Sequence, residues 1–208
     1  MNRLFVEAKH ENTSECNFLK SIIRYYFHDK EGNMEFVFMN GFGNLFNETI
    51  LNQIKSSIDN DDRCIAFLDA DTCRKGGGFD AKSKWLADNK KKHGVEFPVF
   101  LYPDNSNNGD VECLMEHIAR RDLHKCWFDC FEDYEKCVLG IKNSEGNNIY
   151  NIPNLKGKLH TYISSMNLSS KEKSKIGSGN WLFENENYWN LKSKELIPLI
   201  EFLRTHLL

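Results

Sequence analysis

The sequence predicts an α/β fold, a mostly parallel central sheet flanked by helices, with a helical extension at the C-terminal end. Three observations carry this. Short apolar runs alternate with amphipathic stretches of 10–15 residues through the first two-thirds of the chain, the pattern of βαβ units. The run Cys64, Ile65, Ala66, Phe67, Leu68 is almost continuously apolar, as expected of a strand covered on both faces. Beyond residue 125 the strand-like runs stop and the pattern becomes helical.

The elements follow in order. "NRLFVEA" reads as a strand ending at Glu7. "NTSECNFLKSIIRYYF" places Phe18, Leu19, Ile22, Ile23 and Tyr26 on one helical face. Asn12 followed by Glu15 suggests a box-like start to that helix. "MEFVFMNGFG" is a strand running into a glycine turn, and "LFNETILNQIKSSI" is the next helix. "RCIAFLDAD" is the third strand, and "FDAKSKWLADNKKKHG" a helix closed by Gly94. In "VEFPVFLYPDN", Pro98 marks a fourth strand as irregular or at a sheet edge. "GDVECLMEHIARR", "KCWFDCFEDYEKCVLGI", "LKGKLHTYISSM" and "SKELIPLIEFLRTHLL" supply helices, the last tolerating Pro198 only in its first turn. We read residues 1–124 as an α/β core and 125–208 as a helical extension packed on it.

Bulk properties narrow the class. The charged fraction of 27% is that of an ordinary soluble chain, and no apolar run approaches the roughly 20 residues of a membrane span. No apolar signal region opens the sequence, so a cytoplasmic location is expected. The seven cysteines lack paired CxxC spacing, which argues against a disulfide framework or a zinc knuckle. Cys126, Cys130 and Cys137 recur at helical spacing and are expected in a helix core. The formal net charge of −3 neither announces nor excludes a nucleic-acid partner.

Carboxylates mark the strand ends. Glu7 ends the first strand, Asp69 and Asp71 the third, and Asp104 follows the fourth. Glu112 begins the helix after that. In a parallel sheet these ends share one edge, and gathered carboxylates repel unless a cation lies among them. Oxygen ligands without histidines suit Mg²⁺ or Mn²⁺. Strand residues two apart share a face, so Asp69 and Asp71 address one site if the strand persists through both. The plainer alternatives are an aspartate capping the next helix, a first-turn helix role for Glu112, and turn chemistry for Asp104 in "PDNSNNG", the reading we prefer there. Arg74 and Lys75 follow the acids directly and are candidate phosphate contacts, with Lys82, Lys84, Lys90 to Lys92, Arg120, Arg121, Lys156 and Lys158 behind them. Solvated helix surface is the preferred reading for Lys90 to Lys92.

Glu7 in "LFVEAKHE" and the acids of "IAFLDADTC" resemble the toprim signature of topoisomerases, bacterial primases, ribosomal-RNA maturases and overcoming-lysogenization-defect nucleases. "VFLYPDNSNNGDVECLMEHIA", "LHKCWFDCFEDY" and "LIPLIEFLRTHL" extend the likeness, over nearly the whole chain, to a toprim-like family of stand-alone bacterial proteins. Two departures stand out: Ala8 replaces the usual glycine, and the next acid of the first motif is replaced by "KHENTSE", where Glu11 is the candidate substitute. The resemblance implies a toprim-like fold and Mg²⁺- or Mn²⁺-dependent, nuclease-like phosphodiester processing through two metals. Asp69 and Asp71 would bind metal, Glu7 would bind metal or move a proton, and Glu112 would help hold the second. It also implies a nucleic-acid partner. "KGGGFD" lacks the lysine and hydroxyl of a phosphate-binding loop, so any ATPase is a separate chain. A non-catalytic binding module and a small phosphate-ester hydrolase are the alternatives.

Overall fold

The computed structural model describes residues 1–72 and 77–207. Its elements run β1 (Asn2–Val6), α1 (Ser14–Tyr26), β2 (Met34–Phe38), α2 (Glu48–Asp59), β3 (Arg63–Asp69), α3 (Phe79–His93), β4 (Val99–Tyr102), α4 (Val111–Ile118), α5 (Lys125–Gly140), α6 (Leu155–Ser164), α7 (Ser170–Gly177) and α8 (Ile197–Leu207). The strands form one parallel sheet in the order β2-β1-β3-β4, with Val6 level with both Phe38 and Phe67, and Asp69 level with Tyr102. The predicted α/β class is the observed one.

The order reverses between β1 and β3. The chain leaves β1 in one direction to build β2, then crosses back to build β3 and β4. Right-handed crossovers therefore put α1 on one face and α2 and α3 on the other. Burial follows this division. Ile65 and Phe67 of β3 face a core shared with α1, α4, α6 and α8, while Ala66 and Leu68 face Ile54 of α2 and Leu86 of α3. Both sides are covered, which explains the unbroken apolar run of β3.

Edge strand β4 is closed by its own turn. The Leu101 amide donates to Asn105 Oδ1 (3.1 Å) and the Asn105 amide to the Leu101 carbonyl (2.8 Å). Pro98 lies just before this edge, where its missing N–H costs nothing. Two local expectations are corrected. Helix α1 is capped by Thr13, whose hydroxyl accepts from the Cys16 amide (3.3 Å), not by Asn12; the box-like start is absent because the cap lies one residue later and the box position falls on Cys16 instead of Glu15. Helix α7, which the sequence reading does not name, opens with a capping box between Ser169 and Glu172.

A third correction concerns the cysteines of α5. Cys126, Cys130 and Cys137 are exposed. The buried stripe of α5 is Phe128 and Phe131, with Trp127 stacked on Phe131 at 5.1 Å. At 3.6 residues per turn the cysteines fall on the far side of the helix from those rings.

The helices after residue 125 share the first core. Trp189 is fully buried in it and donates from its indole nitrogen to the Trp181 carbonyl (2.8 Å), beside Tyr162 of α6. Leu199 and Leu203 of α8 complete the cover over the α1 and α4 side of the sheet.

Candidate functional site

Open parallel sheets bind ligands outside the C-terminal strand ends, where the strand order reverses. Here that crevice lies between β1 and β3, and four carboxylates enter it from four segments. Glu7 follows β1, Asp69 ends β3, Glu15 sits in the first turn of α1, and Glu112 sits in the first turn of α4. The Asp69 amide donates to Glu7 Oε2 (3.3 Å), and the Val111 amide donates to Asp69 Oδ1 (2.9 Å). Residues distant in sequence are thus tied together across the switch point.

The electrostatics show the crowding. Burial, reinforced by Glu7, Glu15 and Glu112, pushes the Asp69 carboxyl well above the usual carboxylate range, against the pull of the Val111 amide. Burial also pushes Glu15 up to about 7, with Glu7 and Glu112 adding repulsion and Lys156 and the Glu7 backbone opposing it. Glu112 is only 7% exposed. The Lys156 ammonium stands 2.8 Å from its Oε1 as an ion pair without hydrogen-bond alignment, so that among the described residues this oxygen has no hydrogen-bond partner. Beside the cluster, the fully buried Tyr102 hydroxyl likewise lacks a partner among the described residues. Its ionisation is suppressed by burial first and then by Glu15 and Asp69.

Asp71 is placed differently. The strand ends at Asp69, so the condition for a shared face is not met. Asp71 takes a left-handed backbone (φ +59°) and pairs antiparallel with Gly109, its amide donating to the Gly109 carbonyl at 2.6 Å. Its Oδ2 accepts from Lys82 Nζ at 2.6 Å. Lys82, a candidate substrate contact by sequence, is 5% exposed and serves as this internal countercharge.

Among the described residues, no group of three or more His, Cys, Asp or Glu side chains is arranged so that it could hold a metal ion. The chain belongs to the DUF3226 family. The match to this family, described as a protein of unknown function, runs over residues 1–208. No curated protein and no solved structure matches the chain.

The other expected site residues of this DUF3226 member divide clearly. Arg74 and Lys75 lie outside the described residues. Asp104 does turn chemistry: its Oδ1 accepts from the Ser106 and Asn107 amides at 3.0 and 2.8 Å. Burial would raise its pKa, but hydrogen bonds from Asn107 and Ser106 together hold it below the usual value. Of the distal cations, Lys90 donates to Glu96 and the Phe97 carbonyl, Arg120 pairs with Asp122, Arg121 with Glu132, and Lys158 with Glu116. Lys91 and Lys92 are exposed. Glu11 stands away from the cluster as an exposed residue 3.5 Å from Lys20.

Glu15 is the site residue that sequence reasoning missed. Its signal was present: an acid in the first turn of the helix after β1 faces the switch-point crevice whenever β1 is central and its neighbours run parallel. Reading Glu15 as half of a capping box hid that.

Proposed function

We propose that this chain is a toprim-like, divalent-cation-dependent protein that processes nucleic-acid phosphodiesters in the cytoplasm, using Mg²⁺ or Mn²⁺ at the carboxylate cluster. The supporting observation is the convergence of Glu7, Glu15, Asp69 and Glu112 at the switch point, where burial first and the neighbouring acids second raise the pKa of Glu15 and Asp69. The donors fit such a cation in kind, being hard oxygens, and in charge. Among the described residues neither the buried Glu112 oxygen, which has only the Lys156 ion pair, nor the Tyr102 hydroxyl has a hydrogen-bond partner, as expected of groups beside a polar ligand site.

When bound, the cation would polarise a phosphoryl oxygen and make a coordinated water more acidic. The residues of the chain do the rest. Asp69, its Oδ1 oriented by the Val111 amide, and Glu112, buried at the head of α4, hold the negative face of the site. Glu7 accepts from the Asp69 amide with Oε2 and in this reading offers its carboxylate to hold a cation or move a proton. Lys156, half exposed at the mouth, is placed to meet a phosphate once its contact with Glu112 relaxes. The partner in this reading is DNA or RNA, with any ATPase supplied by another chain.

A second reading, a module that binds nucleic acid without cutting it, is favoured by the Lys82–Asp71 pair, in which a lysine already neutralises one acid of the motif. Purified protein incubated with single- and double-stranded DNA and RNA and with Mg²⁺ or Mn²⁺ separates the two. Cleavage that stops with EDTA and with Asp69→Asn is the expected result. Binding without cleavage supports the second reading. Absence of cation uptake in calorimetry, or cleavage indifferent to Asp69→Asn, overturns the first.

A further inference from the structure

Lys82 is an unusual lysine. Its ammonium is buried and donates to two oxygens of the β3–α3 turn, the Asp69 carbonyl (2.5 Å) and Asp71 Oδ2 (2.6 Å). It also lies 4.2 Å from the centroid of the Phe42 ring, a favourable cation–π position. A buried ammonium is tolerated only with such full compensation. The partner it holds cannot swing away freely. Asp71 is pinned by its two-way backbone pairing with Gly109, and Gly77 packs so close that a Cβ there would lie 2.8 Å from Asp71 Cβ and 3.5 Å from Lys82 Cε.

A divalent cation shared by Asp71 would have to stand within a few ångströms of this ammonium, in surroundings that screen charge poorly. Asp69 differs: its carboxylate turns toward Val111 and the other acids, and it is only the Asp69 carbonyl that Lys82 occupies. We propose that the centre takes a single divalent cation, among Glu7, Glu15, Asp69 and Glu112, and that the Lys82 ammonium permanently fills the place at Asp71 that a second cation would need. Lys82 is thus a positioning residue that sets the metal count. This rests on the cation-dependent reading above and departs from the two-metal arrangement that the toprim resemblance implies.

The test counts Mn²⁺ bound to the intact chain by electron paramagnetic resonance and equilibrium dialysis. One ion per wild-type chain is expected. Asp71→Asn should weaken it by no more than about 10- to 100-fold, as for a group outside the coordination shell, whereas Asp69→Asn should weaken it beyond about 100-fold. Lys82→Met should admit a second, weaker ion at the freed Asp71. Two ions on the wild type, equal losses from Asp71→Asn and Asp69→Asn, or a folded Lys82→Met chain that still takes one ion would overturn the inference. If Lys82→Met does not fold, the wild-type count and Asp71→Asn decide. A wild-type chain that takes no Mn²⁺ overturns the proposed function itself, an outcome distinct from taking two. A metal-free readout stands beside these: in EDTA, the urea-unfolding effects of Lys82→Met and Asp71→Asn should be strongly non-additive, and additive effects would remove the pairing from the argument.

Discussion

Replacing Glu15 by glutamine should make the metal-free protein more stable, and the gain should grow with pH. Glu15 has its pKa raised from 4.5 to about 7 in the folded chain, by burial first and by Glu7 and Glu112 after that. Between those two values the folded state keeps a proton that the unfolded state has released. Stability therefore falls as pH rises through this window and levels off above about pH 7. At about 1.4 kcal/mol for each tenfold change in proton affinity, the full effect is roughly 3 kcal/mol. Asp69, also raised, adds a fall of the same sign.

Glutamine keeps an acceptor for the Glu7 backbone and sheds the charge. Thermal melts in EDTA should therefore nearly coincide for wild type and Glu15→Gln near pH 4.5. At pH 8 the variant should melt higher by roughly 6–12 °C, at about 2–4 °C per kcal/mol for a chain of this size. Saturating Mn²⁺ should raise the wild type at pH 8, by about 2.7 kcal/mol at 100 times Kd, and raise Glu15→Gln less. A variant that melts no higher than wild type at pH 8, or that differs equally at both pH values, would refute the claim that burial, reinforced by Glu7 and Glu112, disfavours a charged Glu15.

Gly77→Ala should destabilise the chain by about 1–3 kcal/mol in urea unfolding, because its Cβ would meet Asp71 Cβ at 2.8 Å and the Ala70 carbonyl at 3.0 Å, and backbone does not yield cheaply. Thiol labelling of the native protein followed by mass mapping should find Cys126, Cys130 and Cys137 modified before Cys16 and Cys64. Cys16 and Cys64 should react only on unfolding, Cys16 being buried and raised to about 11 chiefly by that burial.

The parts of the fold that were legible in the sequence are those where one local pattern admits one solution. The β3 run is apolar at consecutive positions, so both sides must be covered. The amphipathic run in "LFNETILNQIKSSI" forms α2, Glu48–Asp59. Pro98 pointed to an irregular or edge position for the fourth strand, and β4 is an edge strand that begins just after it, at Val99. The site was legible as a set of strand-end acids, and Glu7 and Asp69 do meet. What was hidden depends on geometry that no window of sequence contains. The left-handed turn at Asp71 arises from pairing with Gly109, 38 residues away, and only that turn delivers the carboxylate to Lys82. Glu15 was visible as a first-turn acid, but that it enters the site follows only from the strand order, which makes β1 central. The α5 cysteines were misplaced because Phe128 and Phe131 outcompete them for the one face α5 can bury.

The C-terminal helices belong to the site as well as to the core, and a truncation makes the point testable. Glu112 is buried where α4 meets α6, and Lys156, the countercharge beside it, comes from α6. The same region buries Trp189, Leu196, Leu199, Leu203 and Leu207 against the sheet side that α1 and α4 also cover. Each such side chain contributes about 1.5–3 kcal/mol on burial, so these five alone match the roughly 5–15 kcal/mol that holds an ordinary domain folded. A chain ending at residue 124 should therefore lack cooperative thermal unfolding and near-ultraviolet circular dichroism, although it contains the whole sheet and all four acids. A truncated protein that melts cooperatively would show that residues 125–208 are an appendage and that the acids are assembled by the α/β core alone. The physical reason to expect otherwise is the bare face: without α6 and α8, the apolar side of α4 would stand in water next to carboxylates that have lost the lysine opposing their repulsion.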